Sequence, residues 1–559
     1  MNRILSIFHK EIAGIHQAAI LLGAFTLMSQ ILALVRDRML ARFFGADQAL
    51  DLYYTAFRIP DLMYASIASL VSVSVLIPFL SHIIDSKKGE AKALLSSIFT
   101  VFVATMVLVS AGVFVAMPWI VKVFFSGLGD AAALSELTVL ARILLLQPIC
   151  LGISNLLGAV TQIGKRFFIY ALSPIFYNLS IIFGLVALYP SFGIRGVMYG
   201  VVIGGLLHFL IQVPYIAKEG LLPGLTLAVD FKKVFEVIKV SIPRTIALSA
   251  NMLELIAITA FASWLTVGSV SIFNLALNLQ SVPFAIIGVS YALAAFPTLS
   301  ACFARGEKEQ FMTHIATAAR HIIFWSIPIT ALFIVLRAQI VRTILGSGYF
   351  NWEDTRLTAA CLALFVISLV AQGLELLFIR SYYAAGKTSK PLAINIISSA
   401  LTILLPFLLL KAFAAFPEFR YFMESLFKVE GIAGSEVLML PLGYTVGTLF
   451  NGLAFWIMFE KDFGKLPNLT KTLFSSLQAA VAGGFAAYIG LNIFDSFFDL
   501  NTLSGIFSQG FVSGIIGIAV AVGVFKLLGN REIEEVWAAM KQKVTRNKMI
   551  VSEPDKIEV

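Results

Sequence analysis

Charged side chains are scarce in this sequence. Asp, Glu, Lys and Arg make up 13% of its 559 residues, whereas soluble domains carry roughly 25%. So little charge cannot cover the surface of a water-soluble globule, which excludes an ordinary soluble enzyme. The formal net charge of +9 does not indicate nucleic-acid binding, because no basic stripe is interleaved with aromatic residues.

Cysteine is nearly absent, and so are the common catalytic motifs. Cys150, Cys302 and Cys361 lie in or beside apolar runs without CxxC spacing, so we interpret them as packing residues rather than metal ligands or disulfide partners. There is no glycine-rich phosphate loop, no HExxH and no Gly-x-Ser-x-Gly elbow. We therefore expect no metal and no cofactor, and no nucleotide to drive the protein.

Hydrophobic residues dominate instead. They make up 59% of the chain, Phe alone occurs 48 times, and the mean hydropathy is +0.90. Apolar stretches of about 20 residues, the length of a membrane span, are centred near residues 30, 70, 108, 148, 178, 204, 252, 285, 326, 370, 402, 447, 482 and 516. Open strand edges cannot exist in lipid. The sequence therefore predicts an all-α polytopic membrane protein with about 14 transmembrane helices.

Lysine and arginine are concentrated in every second loop. They are frequent after every even-numbered predicted span and rare in the opposite loops, such as "GADQA" and "LTVGS". The positive-inside rule then places both termini in the cytoplasm and the chain in the inner (plasma) membrane. The first apolar run has no cleavable signal pattern, so we expect it to remain as a helix. The long outer loop from 413 to 435 predicts either an interfacial amphipathic helix or a packed cap.

A repeat is visible in the inner loops. The second and eighth spans both end in Pro-x-Leu-Ser followed by a short charged loop, with Pro78 and Pro297 219 residues apart. This pattern predicts two pseudo-symmetric six-helix halves, 1–225 and 226–465, then two additional helices in 466–530 and a cytoplasmic tail in 531–559. Parallel repeats of this kind place a substrate cavity at their interface and operate by alternating access. Shared loop chemistry without common architecture is the alternative.

Ionisable residues lie inside two of the predicted spans, one in each half. In the second span they share one helical face, and intramembrane charges usually face a hydrated cavity or one another. Arginine in such a cavity suits a phosphate or pyrophosphate, which its planar fork can bind bidentately. The two stripes consist of Asp51, Tyr54, Arg58 and Asp61 in the second span, and of Arg244, Asn251 and Glu254 in the seventh.

Each of these residues also has a structural interpretation. Asp37 can neutralise Arg36 or Arg38 in the first span, while Arg38 and Arg42 extend to the outer interface. Glu254 and Glu375 can carry H⁺ or Na⁺ for coupling, or can form hydrogen bonds between buried helices.

The stretches "SQILALVRDRMLARFFGADQALDLYYTAFRIPDL" and "FPTLSACFARGEKEQF" resemble the MurJ (MviN) family of the multidrug/oligosaccharidyl-lipid/polysaccharide exporter superfamily. The resemblance covers most of the chain and implies fourteen helices, two six-helix halves and cytoplasmic termini. Members of the family flip lipid II, the undecaprenyl-pyrophosphate-linked peptidoglycan precursor. Carried over to this sequence, Arg36 and Asp37 match a functional Arg-Asp pair, and Asp51 matches an acidic residue that opens the second helix.

The chain departs from the family pattern at four positions. Gln30 and Tyr64 stand where the family commonly has arginines, and Asn278 and Ser281 stand at the arginine and glutamate positions of the eighth helix. This chain therefore has fewer of the basic cavity residues that are usual in the family. We hypothesise that Arg58 and Arg244 bind the pyrophosphate instead.

The function predicted from the sequence is transport by alternating access, driven by a Na⁺ or H⁺ gradient or by the membrane potential. The expected substrate is lipid II or a related polyprenyl-pyrophosphate-linked saccharide, which would serve peptidoglycan and cell-wall biogenesis and hence cell shape. Membrane lipids and cell-wall synthesis proteins are the expected partners. The alternatives are a flippase for another lipid-linked glycan of O-antigen type, a drug exporter, a membrane-embedded glycosyltransferase and an envelope-assembly scaffold.

Overall fold

The computed structural model describes residues 15–71, 76–77, 79–80, 88–467 and 469–537. Pro78 and residues 81–87, which carry the first copy of the predicted repeat motif, lie outside the described residues, as does the tail beyond 537. The described part of the chain contains helices and no strands. The predicted all-α architecture is therefore confirmed.

The helices follow the apolar runs. As far as Ser263 they are α1 Ile15–Phe44, α2 Gln48–Ala56, α3 Arg58–Ser66, α4 Lys88–Phe124, α5 Ala131–Leu144, α6 Leu146–Ile163, α7 Phe167–Phe183, α8 Tyr189–Phe192, α9 Ile194–Leu210, α10 Val213–Lys218 and α11 Phe231–Ser263. Beyond it they are α12 Ser269–Phe284, α13 Ser290–Ala304, α14 Lys308–Val335, α15 Arg337–Leu345, α16 Trp352–Val366, α17 Leu369–Ala384, α18 Ser389–Ala415, α19 Pro417–Phe427, α20 Met439–Phe463, α21 Leu469–Phe494 and α22 Leu503–Leu527. Two π-helical turns, Gly184–Leu188 and Ala285–Val289, continue α7 and α12.

The membrane spans lie where the sequence predicts them. Eleven helical segments of the described chain are long and apolar enough to cross a membrane, or twelve if α16 and α17 form one bent span. These twelve coincide with the third to fourteenth predicted spans. The first predicted span corresponds to α1, a helix of 30 residues.

The second predicted span is broken where it carries its charges. Helix α2 ends at Ala56, α3 begins at Arg58, and a 3-10 turn covers Ala68–Val71. Pro60 explains the break, because a proline ring clashes with the carbonyl group four residues earlier, here that of Ala56. The charged positions are therefore distributed over two short helices instead of one long span.

The chain divides into two compact units. The first comprises Met1–Leu279, Ile344–Phe365 and Thr388–Phe450, and the second comprises Gln280–Thr343, Val366–Lys387 and Asn451–Val559. Within the first unit, α7 and α9 approach closely through Gly184 and Gly200, which leave no space for side chains between the helices. The boundaries predicted at residues 225, 465 and 530 remain a prediction.

The second unit has its own apolar core and a docked C-terminal segment. Phe324, Ala479, Ala521, Phe525 and Ile533 pack together in that core. An ion pair from Arg320 to Glu532, at 3.3 Å, and a hydrogen bond between His321 Nε2 and Glu535 Oε2, at 3.1 Å, hold residues 531–537 against α14.

The predicted outer loop contains helix α19. Met423 and Glu424 are buried, whereas Phe422 and Leu426 are exposed. Arg420 Nε donates to Glu424 Oε1 at 2.9 Å, and this hydrogen bond, with the charge of Glu424, raises the pKa of Arg420. The helix thus has one packed face and one exposed apolar face, and its position at the outer interface remains a prediction.

Candidate functional site

An arginine–aspartate pair occupies the membrane helix α1. Arg36 Nη2 lies 2.8 Å from Asp37 Oδ1, and Arg36 Nε donates to the same oxygen at 2.9 Å. Asp37 is buried, while the Arg36 side chain is 19% exposed. Of the two predicted partners for Asp37, Arg36 is the one that forms the ion pair in the structure. A charge inside a membrane is tolerated when an opposite charge compensates it, and this pair provides that compensation.

Two asparagines from distant helices complete the pair's surroundings. Asn178 on α7 accepts a hydrogen bond from Arg36 Nη1 at 3.1 Å and donates to the hydroxyl group of Ser29 at 3.2 Å. Asn278 on α12 donates to Asp37 Oδ2 at 3.0 Å. Each carboxylate oxygen of Asp37 therefore has a defined partner, and the orientation of the guanidinium group is set from both sides.

Arg36 also lines an open cleft of about 360 Å³ between α1 and α7. The polar residues of its wall include Ser29, Gln30, Tyr170 and Tyr177. Gln30 therefore belongs to the same surface as Arg36. The cleft offers hydrogen-bonding groups and one cation, which suits a polar anionic group.

Asp51 has a clear structural function. Its Oδ2 accepts from the backbone N–H of Gly268 at 2.7 Å, and its Oδ1 accepts from the Ser271 N–H and hydroxyl groups at 2.7 and 2.6 Å. These groups form the N-terminus of α12, where unpaired N–H groups favour an anion. Gly268 has φ +92°, and a Cβ atom there would collide with the Ala46 carbonyl oxygen, so only glycine permits this approach.

Arg58 is buried at 7% exposure and is held by neutral partners. Its Nε donates to Thr259 Oγ1 at 2.7 Å, and its Nη2 donates to Asn274 Oδ1 at 2.5 Å. Asp61, one turn further along α3, is half-buried and has no hydrogen-bond or ion-pair partner among the residues that the structure describes. Arg58 is its charged neighbour within electrostatic range.

The remaining predicted residues belong to helices α11 and α17. Arg244 is exposed on α11. Glu254, nearly three turns later, is half-buried and contacts the Ser399 hydroxyl group on α18. Glu375 is half-buried on α17. Their assignment to phosphate binding and ion coupling remains a prediction.

The two other arginines of α1 differ in their surroundings. Arg38 is half-buried, and its Nη1 donates to the Ile344 carbonyl oxygen at 3.0 Å, which satisfies a carbonyl group in the last turn of α15. Arg42 is exposed, and its backbone carbonyl group accepts from the Tyr349 N–H at 3.1 Å. Arg42 is therefore the matched surface residue for comparison with Arg36.

Several residues of the site were missed from the sequence. Asn178, Thr259 and Asn274 are partners of the two arginines, and Ser271 is a partner of Asp51. The only available signal was a polar residue within an apolar run, which also describes many packing positions. Within the described residues, no group of three or more His, Cys, Asp or Glu side chains is placed to hold a metal ion.

These features define a class of protein, a polytopic membrane transporter with a partly exposed cation facing a polar cleft. A family model described as Lipid II flippase MurJ matches residues 40–417, about two thirds of the chain. The chain therefore belongs to the MurJ family, and the predicted family membership is confirmed.

The similar proteins include curated sequences from several bacteria. A "Lipid II flippase MurJ" from Burkholderia cenocepacia is 27% identical over 391 residues, which cover 68% of this chain and 76% of that protein. A "Probable lipid II flippase MurJ" from Thermotoga maritima is 25% identical over 513 residues, which cover 91% and 96% of the two chains.

Solved structures show the same fold. The structure of "Lipid II flippase MurJ, inward closed conformation" matches with a TM-score of 0.72 at 20% identity, over 91% of this chain and 99% of that one. An inward-facing multidrug resistance MATE family transporter of the MOP superfamily matches with a TM-score of 0.62 at 13% identity, over 81% and 99%. At these identities the likeness concerns the fold alone.

Proposed function

We propose that this protein is a flippase that moves lipid II from the inner to the outer leaflet of the inner membrane. Membership of the MurJ family supports the substrate. The observation that carries the proposal is the placement of Arg36, an oriented and partly exposed cation on the wall of a polar cleft. A pyrophosphate headgroup needs such a cation when it leaves water.

Arg36 retains hydrogen-bonding capacity for a ligand. A guanidinium group has five N–H donors, and protein acceptors within the described chain engage three of them. Two donors therefore remain for phosphate oxygens, and the planar group can present them side by side. Asp37 fixes the plane of the guanidinium group before the substrate arrives, which reduces the entropy cost of binding.

The same pair offers a way to link substrate binding to movement. A pyrophosphate on the two remaining donors shares the positive charge of Arg36 with Asp37, which weakens the bond between Arg36 and Asp37. Asp37 is also bonded to Asn278 on α12, so a change at Arg36 is transmitted to a second helix. Substrate binding would then favour a rearrangement of α1 against α12, as alternating access requires.

The other predicted residues take supporting parts in this proposal. Asp51 would keep the N-terminus of α12 in place, and Asn278 would position Asp37. Arg58 would bind a phosphate only after giving up its hydrogen bond to Thr259 or to Asn274. Arg244 would add positive charge. Asp61 would balance these cations, while Glu254 and Glu375 would carry H⁺ or Na⁺ for coupling.

We further propose that both termini lie in the cytoplasm, in keeping with the alternation of Lys and Arg among the loops. Fusions of a cytoplasmic and an exported reporter to each predicted loop test this topology. Cell-wall synthesis proteins are the proposed protein partners, because lipid II is consumed in making peptidoglycan.

Complementation tests the proposed function. We expect the wild-type chain to support growth of bacteria depleted of their essential lipid II flippase, and Arg36→Ala to fail at equal membrane abundance. Arg42→Ala is the matched control, since Arg42 lies on the same helix but is exposed, and it should support growth. A wild-type chain that inserts normally and leaves lipid II in the inner leaflet would contradict the proposal.

A further inference from the structure

Helix α11 is longer than a membrane span requires. It has 33 residues, of which Arg244–Ser263 form the apolar span of 20 residues. The preceding segment, residues 231–243, extends about 20 Å at 1.5 Å per residue. The segment therefore adjoins the apolar span at the end where α11 begins.

The linker that leads into this segment is held against α4. Three backbone N–H groups donate to three hydroxyl groups that lie within about one turn of that helix. The pairs are Gly224 with Ser96 at 3.3 Å, Thr226 with Thr100 at 3.0 Å, and Asp230 with Ser97 at 3.2 Å. The start of α11 therefore has a fixed position beside α4.

One side of the segment is apolar and uncovered. Phe231, Phe235, Ile238 and Ile242 follow one another at helical spacing of four, three and four residues, so they form one stripe. Phe231 is 70% exposed and Phe235 is 64% exposed. An adjoining side of the helix, which includes Val234 and Val237, is buried in the protein. The stripe is thus available to lipid.

A cleft opens beside this stripe. It has a volume of about 470 Å³ and is lined by Val101 of α4 together with Val234, the stripe residues Phe231, Phe235 and Ile238, and Lys232. Volumes of roughly 300–1,000 Å³ with mainly apolar walls are typical of small-molecule sites. The lining here suits a hydrocarbon chain, with one cation at the edge.

Two lysines lie next to the stripe. Lys232 and Lys239 are seven residues apart, which places them on the same side of the helix, about 80–100° from Phe231 at 100° per residue. Both are exposed, and neither has an ion pair within the described chain, whereas Lys233 pairs with Asp230 at 3.5 Å. Glu236 lies further round the helix, beyond the two lysines. An apolar stripe flanked by lysines is the arrangement of interfacial helices that bind anionic lipids.

We propose that residues 231–242, together with α4, form a binding site for an anionic phospholipid of the leaflet at which α11 begins. An acyl chain occupies the cleft beside Val101 and the phosphate group lies between Lys232 and Lys239. The site is separate from the Arg36 cleft, and the proposal does not depend on which lipid the protein transports.

Native mass spectrometry of the detergent-purified full chain tests this site. The probes are phosphatidylglycerol and phosphatidylcholine with identical acyl chains. A lysine near an anionic surface contributes about 1 kcal/mol, so Lys232→Gln with Lys239→Gln should weaken phosphatidylglycerol binding about 30-fold. The control, Lys461→Gln with Lys465→Gln, makes the same charge change at exposed positions elsewhere and should leave binding unchanged.

A second variant tests the cleft itself. Val101→Trp fills the cleft without changing charge and should reduce binding of both lipids. The lysine variant alters only exposed side chains, so it gives an answer even if Val101→Trp fails to fold. Equal wild-type affinity for the two lipids, or full phosphatidylglycerol affinity in either folded variant, would overturn the proposal. Self-association of the wild type through this face without lipid would overturn it as well.

Discussion

Replacing Asp51 should destabilise the fold before it affects transport. Its carboxylate group accepts three hydrogen bonds, from the N–H groups of Gly268 and Ser271 and from the Ser271 hydroxyl group, at 2.6–2.7 Å. Hydrogen bonds to a charged group contribute about 1.5–3 kcal/mol each, or about 4–9 kcal/mol together. Removing the buried charge also relieves several kcal/mol of desolvation cost. The expected net loss for Asp51→Ala is therefore about 2–4 kcal/mol.

The assay is thermal unfolding of purified variants in detergent, followed by intrinsic fluorescence. Asp51→Ala should lower the melting temperature by several degrees. The melting temperature of Asp51→Asn should lie between those of Asp51→Ala and the wild type, because one amide oxygen can replace only one of the two carboxylate oxygens. The control is Asp495→Ala, which removes an exposed carboxylate without a hydrogen-bond partner in the described structure and should change stability little. If Asp51→Ala melted like the wild type but lost lipid II binding, Asp51 would act on the substrate and our reasoning would be wrong.

Two further predictions concern transport. Arg58→Ala should abolish flipping, whereas Thr259→Val should largely retain it, because Thr259→Val removes one acceptor of Arg58 but leaves the cation. Both variants are compared in an assay that measures lipid II in each leaflet. Equal activity of the two variants would refute the proposal that Arg58 exchanges a protein acceptor for a phosphate. If Glu254 or Glu375 carries the coupling ion, its replacement by Gln should remove the Na⁺ or pH dependence of flipping without unfolding the protein. Unchanged ion dependence in both Gln variants would leave the two residues with structural roles.

The sequence was sufficient to predict the helical architecture and the position of the spans. Apolar runs of about 20 residues determine where a chain crosses lipid, since the backbone must satisfy its own hydrogen bonds there. The break near Pro60 was also predictable, because it follows from local proline geometry. The family motif and the neighbouring charges pointed to Arg36 and Asp37.

The partners of these charges were not predictable in the same way. Asn178 and Asn278 come from positions 142 and 241 residues away from their partners in the first span. Helical periodicity indicates which face a residue lies on, but not which distant helix packs against that face. Asp51 illustrates the difference: its place in the family motif suggested the substrate, whereas its three bonds to the N-terminus of α12 depend on tertiary packing.

The most direct test of the central claim is the affinity of lipid II for Arg36 variants in nanodiscs. A charge-assisted contact contributes about 1.5–3 kcal/mol, so Arg36→Ala should weaken binding roughly tenfold to a hundredfold. Arg36→Lys should lose part of that affinity, because lysine keeps the charge but not the planar fork. A monophosphate analogue should bind more weakly to the wild type and be less sensitive to either change. Wild-type affinity in Arg36→Ala together with lost affinity in Arg42→Ala would contradict the account.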